Sequence, residues 1–128
     1  LKAYVERTDP AALSSLLAEP IYSTEDLFAQ IATTDLVVAT RFHNVLCSLM
    51  LNKPVISIGY AEKNNVLMAE MGLSDYCQQI EDFEVECLMK QFTALSERTA
   101  QVCTQIQHKN IEYRKALDEQ YQTLVQRI

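Results

Sequence analysis

Two short apolar runs, residues 36–39 and 55–60, flank a segment whose apolar side chains recur at helical spacing, with only a few residues at each junction. This alternation constrains the fold more than any other feature of the chain. Strand, helix and strand joined so tightly form the repeating unit of a parallel sheet, with right-handed crossovers that lay helices against the strands. The first run, Leu36, Val37, Val38 and Ala39, is continuously apolar, the pattern of a central strand covered on both faces. In the intervening helix Val45, Leu46, Leu49 and Met50 mark the core side, and Asn52 is placed to close it in a left-handed conformation.

The same alternation extends in both directions. Residues 1–7 alternate apolar and polar side chains like a strand already under way, and the absence of an initial methionine suggests a piece of a longer protein. Asp9 and Pro10 suit the opening of a short helix over 11–18. A brief extended segment at Pro20, Ile21 and Tyr22 precedes a second helix whose first turn carries Glu25 and Asp26, with Leu27, Phe28, Ile31 and Ala32 on its apolar face. A helix over 64–71 ends at Gly72, and an edge strand is expected within 76–80. From about 83 to 127 the pattern is helical, broken near 96–99. The expectation is a doubly wound, Rossmann-like α/β domain with a parallel sheet of about five strands, helices on both faces and a long C-terminal helix. With 128 residues, 48% of them hydrophobic, a single domain spanning 1–128 can bury one core.

The terminal helix carries Val102, Ile106, Tyr113, Leu117, Tyr121, Leu124 and Ile128 on one stripe. Packing against the domain's own sheet or helices is the first reading, because Gln and Lys interrupt the stripe and few heptads are available for a coiled coil. An overhang would suit docking on a missing domain or assembly of a homo-oligomer.

Charge and cysteine content narrow the functional classes. Eleven basic against seventeen acidic residues give a net charge of −6. Such a field repels nucleic acid and anionic membrane surfaces. A small phosphorylated ligand remains compatible, since screening limits the reach of distant charges to roughly 8 Å at physiological salt. Cys47, Cys77, Cys87 and Cys103 lack metal-ligand spacing, so no metal is expected and all four are read as reduced, Cys47 as core filler. No apolar run approaches a membrane span and there is no basic-then-apolar leader. The expected location is cytoplasmic, including the inner face of the membrane.

Chemistry-bearing residues gather where the apolar runs end. Arg41 follows the first strand and presents a fork of donors for phosphate or carboxylate; a surface ion pair is the competing use. His43, in the first turn of the next helix, can donate to an anion or relay a proton. Lys63 follows the second strand, in a position where a cation opposes the helix dipole unless an anion is near. Thr40 suits the cap of the helix, Asn44 lies beside His43, and Tyr60 could hydrogen-bond a ligand or serve as half-buried structure. In parallel α/β sheets ligands bind at the carboxyl ends of strands, so the expectation is a pocket for a small, highly charged anion. Gly59 and Gly72 are the only glycines, which excludes a Gly-rich phosphate loop.

The order of these elements resembles the carboxy-terminal half of the polysaccharide pyruvyl transferase family: a strand ending in Thr40, then Arg41 and His43, a helix, a strand after Pro54, Tyr60 and Lys63 as Tyr-x-x-Lys, and a helix ending at Gly72 and Leu73. The resemblance spans roughly residues 20–80. Phe42 stands where the family usually has Leu, Asn44 replaces a small residue, and Asn52 with Lys53 replaces a Gly-containing turn. The resemblance implies the second half of a two-domain protein of the glycosyltransferase-B kind, with phosphoenolpyruvate as donor substrate, no further cofactor, and a saccharide acceptor held mainly by the other half. It implies His43 as acid or close phosphate contact, with Arg41 and Lys63 clamping phosphate and carboxylate. The runner-up is a nucleotide-sugar-binding domain of a glycosyltransferase, since a shared fold does not fix the ligand.

Overall fold

The computed structural model describes residues 2–128. Helix α1 (Lys2–Thr8) stands in place of the expected first strand; Leu1, the first residue of that expected strand, lies outside the described residues. Lys2, Ala3, Glu6 and Arg7 favour a helix, and no residue of α1 is buried, so local preference is not overridden by packing. Arg7 Nε donates to the Ala3 carbonyl at 3.2 Å and Thr8 Oγ1 to that of Tyr4 at 2.8 Å. The expected helix over 11–18 is shorter and tighter, a 3-10 segment at Pro10–Ser15 opened by its proline.

Helix α2 (Thr24–Ala32) begins with a capping box. Ser23 Oγ accepts from the Asp26 amide, and Asp26 Oδ2 accepts from the amides of Ser23 at 3.1 Å and Tyr22 at 3.0 Å. The segment around Tyr22 therefore gives an amide to the helix start instead of a sheet.

The sheet has three strands, β1 (Val37–Ala39), β2 (Val55–Gly59) and β3 (Cys77–Gln79), all parallel in the order β1-β2-β3. The expectation of about five strands fails at the two amino-terminal segments, one helical and the other engaged in the capping box. Ala39 lies level with Ser57, and Gly59 level with Gln79. Every residue of β2 is buried, as a strand paired on both edges and covered on both faces must be. β1 departs from the expectation of cover on both faces: Val38 is 45% exposed. Its side opens into an apolar groove of about 430 Å³ between α2 and β1, lined by Leu17, Leu27, Ile31 and Val38 among others.

Helices α3 (Phe42–Met50) and α4 (Glu62–Glu70) make the crossovers between successive strands. In α3 Val45, Cys47, Ser48 and Leu49 are buried, Val45, Ser48 and Leu49 at the three- and four-residue spacing of one helical face, while Met50 turns outward against expectation. Asn52 closes α3 at φ 57° and Gly72 follows α4 at φ 72°, both in the left-handed conformation. Helices α5 (Val85–Glu97) and α6 (Thr99–Arg127) meet at the expected break, and Leu95, Val102 and Ile106 join Val45, Leu49, Ile56, Met68 and Leu73 in one core.

The stripe on α6 divides in two. Val102 and Ile106 are buried, whereas Tyr113, Leu117, Tyr121, Leu124 and Ile128 are exposed, so self-packing accounts only for its first part. Polar side chains fasten that part to the ends of both crossover helices. Gln105 Nε2 donates to the carbonyls of Met71 at 3.0 Å and Gly72 at 3.1 Å. Asn110 Nδ2 donates to the Leu49 carbonyl at 2.8 Å and to Asn52 Oδ1 at 2.9 Å. The Met71 and Gly72 carbonyls lie just past the end of α4, and the Leu49 carbonyl, in the last turn of α3, also accepts from the Asn52 backbone amide at 3.0 Å. Among the described residues no helix is long and apolar enough to cross a membrane.

Asn110→Ala removes both of its bonds to the end of α3, where the Leu49 carbonyl keeps the Asn52 backbone amide at 3.0 Å. It should lower the unfolding free energy by about 1–2 kcal/mol in urea melts, while Gln107→Ala, on the exposed side of α6, stays within about 0.5 kcal/mol of wild type.

Candidate anion-binding site

Because the three strands are parallel, their carboxyl ends lie along one edge of the sheet, and α3 and α4 both start there. Arg41 is the N-cap residue of α3, Phe42 its first helical residue and His43 its second. Thr40 stands one position too early to be the cap expected of it, and no side chain caps the helix. α4 likewise starts without a side-chain cap, from Ala61, with Glu62 and Lys63 in its first turn. The expected start at residue 64 is two residues late. Two helix amino termini, each a partial positive charge, therefore face the same edge.

Arg41, His43, Lys63, Thr40 and Tyr60 are exposed and Asn44 is partly buried. Among the described residues the ion pairs are those of His108 and Lys109 with Glu112. Arg41 is thus not engaged in a surface ion pair, the use that competed with anion binding, and Lys63 has no ion-pair partner among the described residues either.

The ring of Phe42 draws two of the candidates together. Lys63 Nζ lies 4.5 Å from the ring centroid, in cation–π geometry. The His43 ring meets the same ring at 81° with centroids 5.7 Å apart. The ammonium and the imidazole centroid are therefore separated by no more than about 10 Å, across one aromatic side chain. Tyr60 and Thr40 share the edge but make no side-chain hydrogen bond within the cluster.

Below this edge a buried polar pair fixes the start of α4. Asn64, 2% exposed, donates from Nδ2 to Ser57 Oγ at 3.3 Å, and Ser57 is fully buried in the middle of β2. A Cβ on Gly59 would come within 2.8 Å of the Asn64 Cβ and 2.9 Å of its amide nitrogen. Gly59 thus lets the Asn64 amide lie directly against the strand, and the residue before Asn64 is Lys63. Sequence reasoning misses this pair; a lone serine in an apolar strand and an asparagine seven residues later are the available signal.

Beside the pair lies Cys77, whose Sγ donates to Asn65 Oδ1 at 3.1 Å. Burial pushes its thiol above the ordinary value of 9.0; the adjacent Ser57 hydroxyl pulls the other way, and the charge of Glu62 adds to the rise. All four cysteines are free, and Cys47 is buried as core filler.

A parallel α/β unit with cations and two helix amino termini on its carboxyl edge has the layout at which parallel α/β sheets take up ligands. Residues 6–62 match the family model for polysaccharide pyruvyl transferase. The match starts before and stops earlier than the 20–80 resemblance. It contains Thr40, Arg41, His43, Asn44 and Tyr60, and ends one residue before Lys63. No curated protein and no solved structure matches the chain.

Gly59→Ala forces the Asn64 side chain from its place and should destabilise the fold by about 1–3 kcal/mol, measured by chemical denaturation. For Cys77 the folded state holds its proton to higher pH than the unfolded chain. The associated stability is fully present below pH 9.0 and declines as pH rises above it. Thermal melts of Cys77→Ser across this range should show a shallower decline than wild type.

Proposed function

We propose that this chain forms the phosphoenolpyruvate-binding part of a polysaccharide pyruvyl transferase, a two-domain enzyme of the glycosyltransferase-B kind that places pyruvate as a ketal on sugar hydroxyls of a cell-surface or exopolysaccharide precursor. The observation that carries this reading is the convergence of Arg41, His43 and Lys63, without acidic partners among the described residues, on an edge whose first two strands lie in the segment that matches the family model. Phosphoenolpyruvate carries a phosphate and a carboxylate, and two cationic side chains beside two helix amino termini match that charge.

In the proposed reaction His43 delivers a proton to the methylene carbon, which leaves the central carbon electrophilic. One sugar hydroxyl adds there and gives its proton to the His43 imidazole, which restores the acid. A second hydroxyl then displaces the phosphate group, whose departing oxygens take up charge beside Arg41 and Lys63, and its proton leaves with the phosphate or through His43. The balance is one phosphoenolpyruvate and one sugar diol in, one cyclic ketal and one phosphate out. Thr40, Asn44 and Tyr60 border the substrate in this scheme, and the acceptor is held mainly by the other domain. No step of it calls for a metal, since developing charge is met by the guanidinium, the ammonium and the helix amides.

Calorimetric titration with phosphoenolpyruvate tests the reading. Arg41→Ala should weaken binding about ten- to a hundredfold, the range of a charge-assisted hydrogen bond to phosphate. In protein that includes the acceptor-binding half, His43→Ala should abolish ketal formation while retaining most of the affinity. Tight binding of uridine or guanosine diphosphate without competition by phosphoenolpyruvate would instead identify a nucleotide-sugar site.

A further inference from the structure

We propose that Phe42 is a positioning residue of this site: its ring holds the Lys63 ammonium at the strand ends before any anion arrives. The inference rests on the anion-site reading above and concerns a residue to which that reading gives no role. Phe42 opens α3 between two exposed residues, Arg41 and His43, yet it is itself partly buried. An aromatic side chain in that position ordinarily belongs to the core. Phe42 is absent from the core cluster and from the apolar side chains packed against it. Its ring instead has Lys63 Nζ 4.5 Å from its centroid and His43 set against it at 81°.

The lysine needs such a partner. Its flexible stem lets an exposed ammonium sweep a wide volume of solvent, and Lys63 has no carboxylate among the described residues to hold it. Glu62, its neighbour in the chain, accepts instead from the Asn65 amide at 3.4 Å. The backbone below Lys63 is fixed, because Asn64 is pinned to Ser57. The ring fixes the far end of the same residue. With both ends set, the ammonium stays over α3 near the imidazole instead of sampling solvent. A cation–π contact is weak enough to be exchanged for a phosphate oxygen, so the ring retains the cation without sequestering it. An exposed contact of this type biases the population about two- to fivefold, and anion affinity should carry the same factor.

Nuclear magnetic resonance of the 128-residue chain tests this without any assay of activity. In wild type the ε-methylene protons of Lys63 should lie upfield of those of the other lysines, through the ring current of Phe42. The shift should persist in Phe42→Tyr and vanish in Phe42→Leu. Titrated with inorganic phosphate, Phe42→Leu should bind about two- to fivefold more weakly than wild type. Lys63→Ala should cost less when combined with Phe42→Leu than in wild type, since the two residues act together. Lys63 protons at the ordinary position in wild type would overturn the proposal, and that measurement needs no variant to fold. Equal phosphate affinity in wild type and Phe42→Leu, with amide dispersion intact in both, would also overturn it. If phosphoenolpyruvate binds no better than inorganic phosphate, the pyruvyl-transfer reading fails while the ring-current and phosphate results still decide the role of Phe42.

Discussion

The central strand β2 is the constraint on which the rest of the structure depends. It is hydrogen-bonded to a parallel neighbour on each edge and buried at every residue. A strand in that position has no solvent to satisfy its backbone, so the ladders on both sides are obligatory. Parallel pairing on both edges then forces each connection to travel back along the sheet as a crossover. α3 and α4 are those crossovers, and their amino termini emerge together. The nearness of Arg41, His43 and Lys63 follows from this topology and needs no direct attraction among three side chains of mainly positive character.

Fixing where the helices begin also requires fixing where they end. Gln105 and Asn110 on α6 reach carbonyls just past the end of α4 and in the last turn of α3 respectively, so one helix ties together the far ends of both crossovers. Gly72 is suited to this role twice over. Its φ of 72° is a conformation that side-chain-bearing residues rarely adopt, and a Cβ there would meet the Gln105 amide at 2.6 Å. The brace acts at the ends of α3 and α4 opposite those that start at the candidate site.

The crossover region is legible in the sequence because burial there is strong and local signals agree with it. Apolar runs mark β1 and β2, Asn52 and Gly72 mark helix ends, and Arg41, His43 and Lys63 stand at strand ends that the fold brings to one edge. Outside that region the signal is ambiguous in identifiable ways. Residues 2–8 alternate weakly and contain good helix formers, and with no buried neighbour the helix prevails. Tyr22 reads as extended, but its amide is taken by Asp26. Met50 carries an apolar side chain on the solvent side of α3, a reminder that exposed apolar residues are ordinary while a buried Ser57 or Asn64 is informative. The contact between Phe42 and Lys63 joins residues from two crossovers, and no periodicity within either segment encodes it.

The exposure of the cluster bears on how it can work. Two unit charges about 4 Å apart attract by about 1 kcal/mol in bulk water and about 4 kcal/mol at the effective dielectric of a partly enclosed site. Arg41, His43 and Lys63 all face solvent, so the chain alone offers an anion charge complementarity at close to the weaker limit. Its net charge of −6 works in the same direction, opposing anions at long range and leaving only the local field in their favour. Preorganisation recovers part of this, because a lysine already held at the edge loses less freedom on binding than one that must be gathered from solvent. The larger gain would come from excluding water. A second body closing over the strand ends would strengthen each of these interactions severalfold without changing one residue of the cluster. In the proposed reading such closure would couple anion affinity to the arrival of an acceptor against the bound anion.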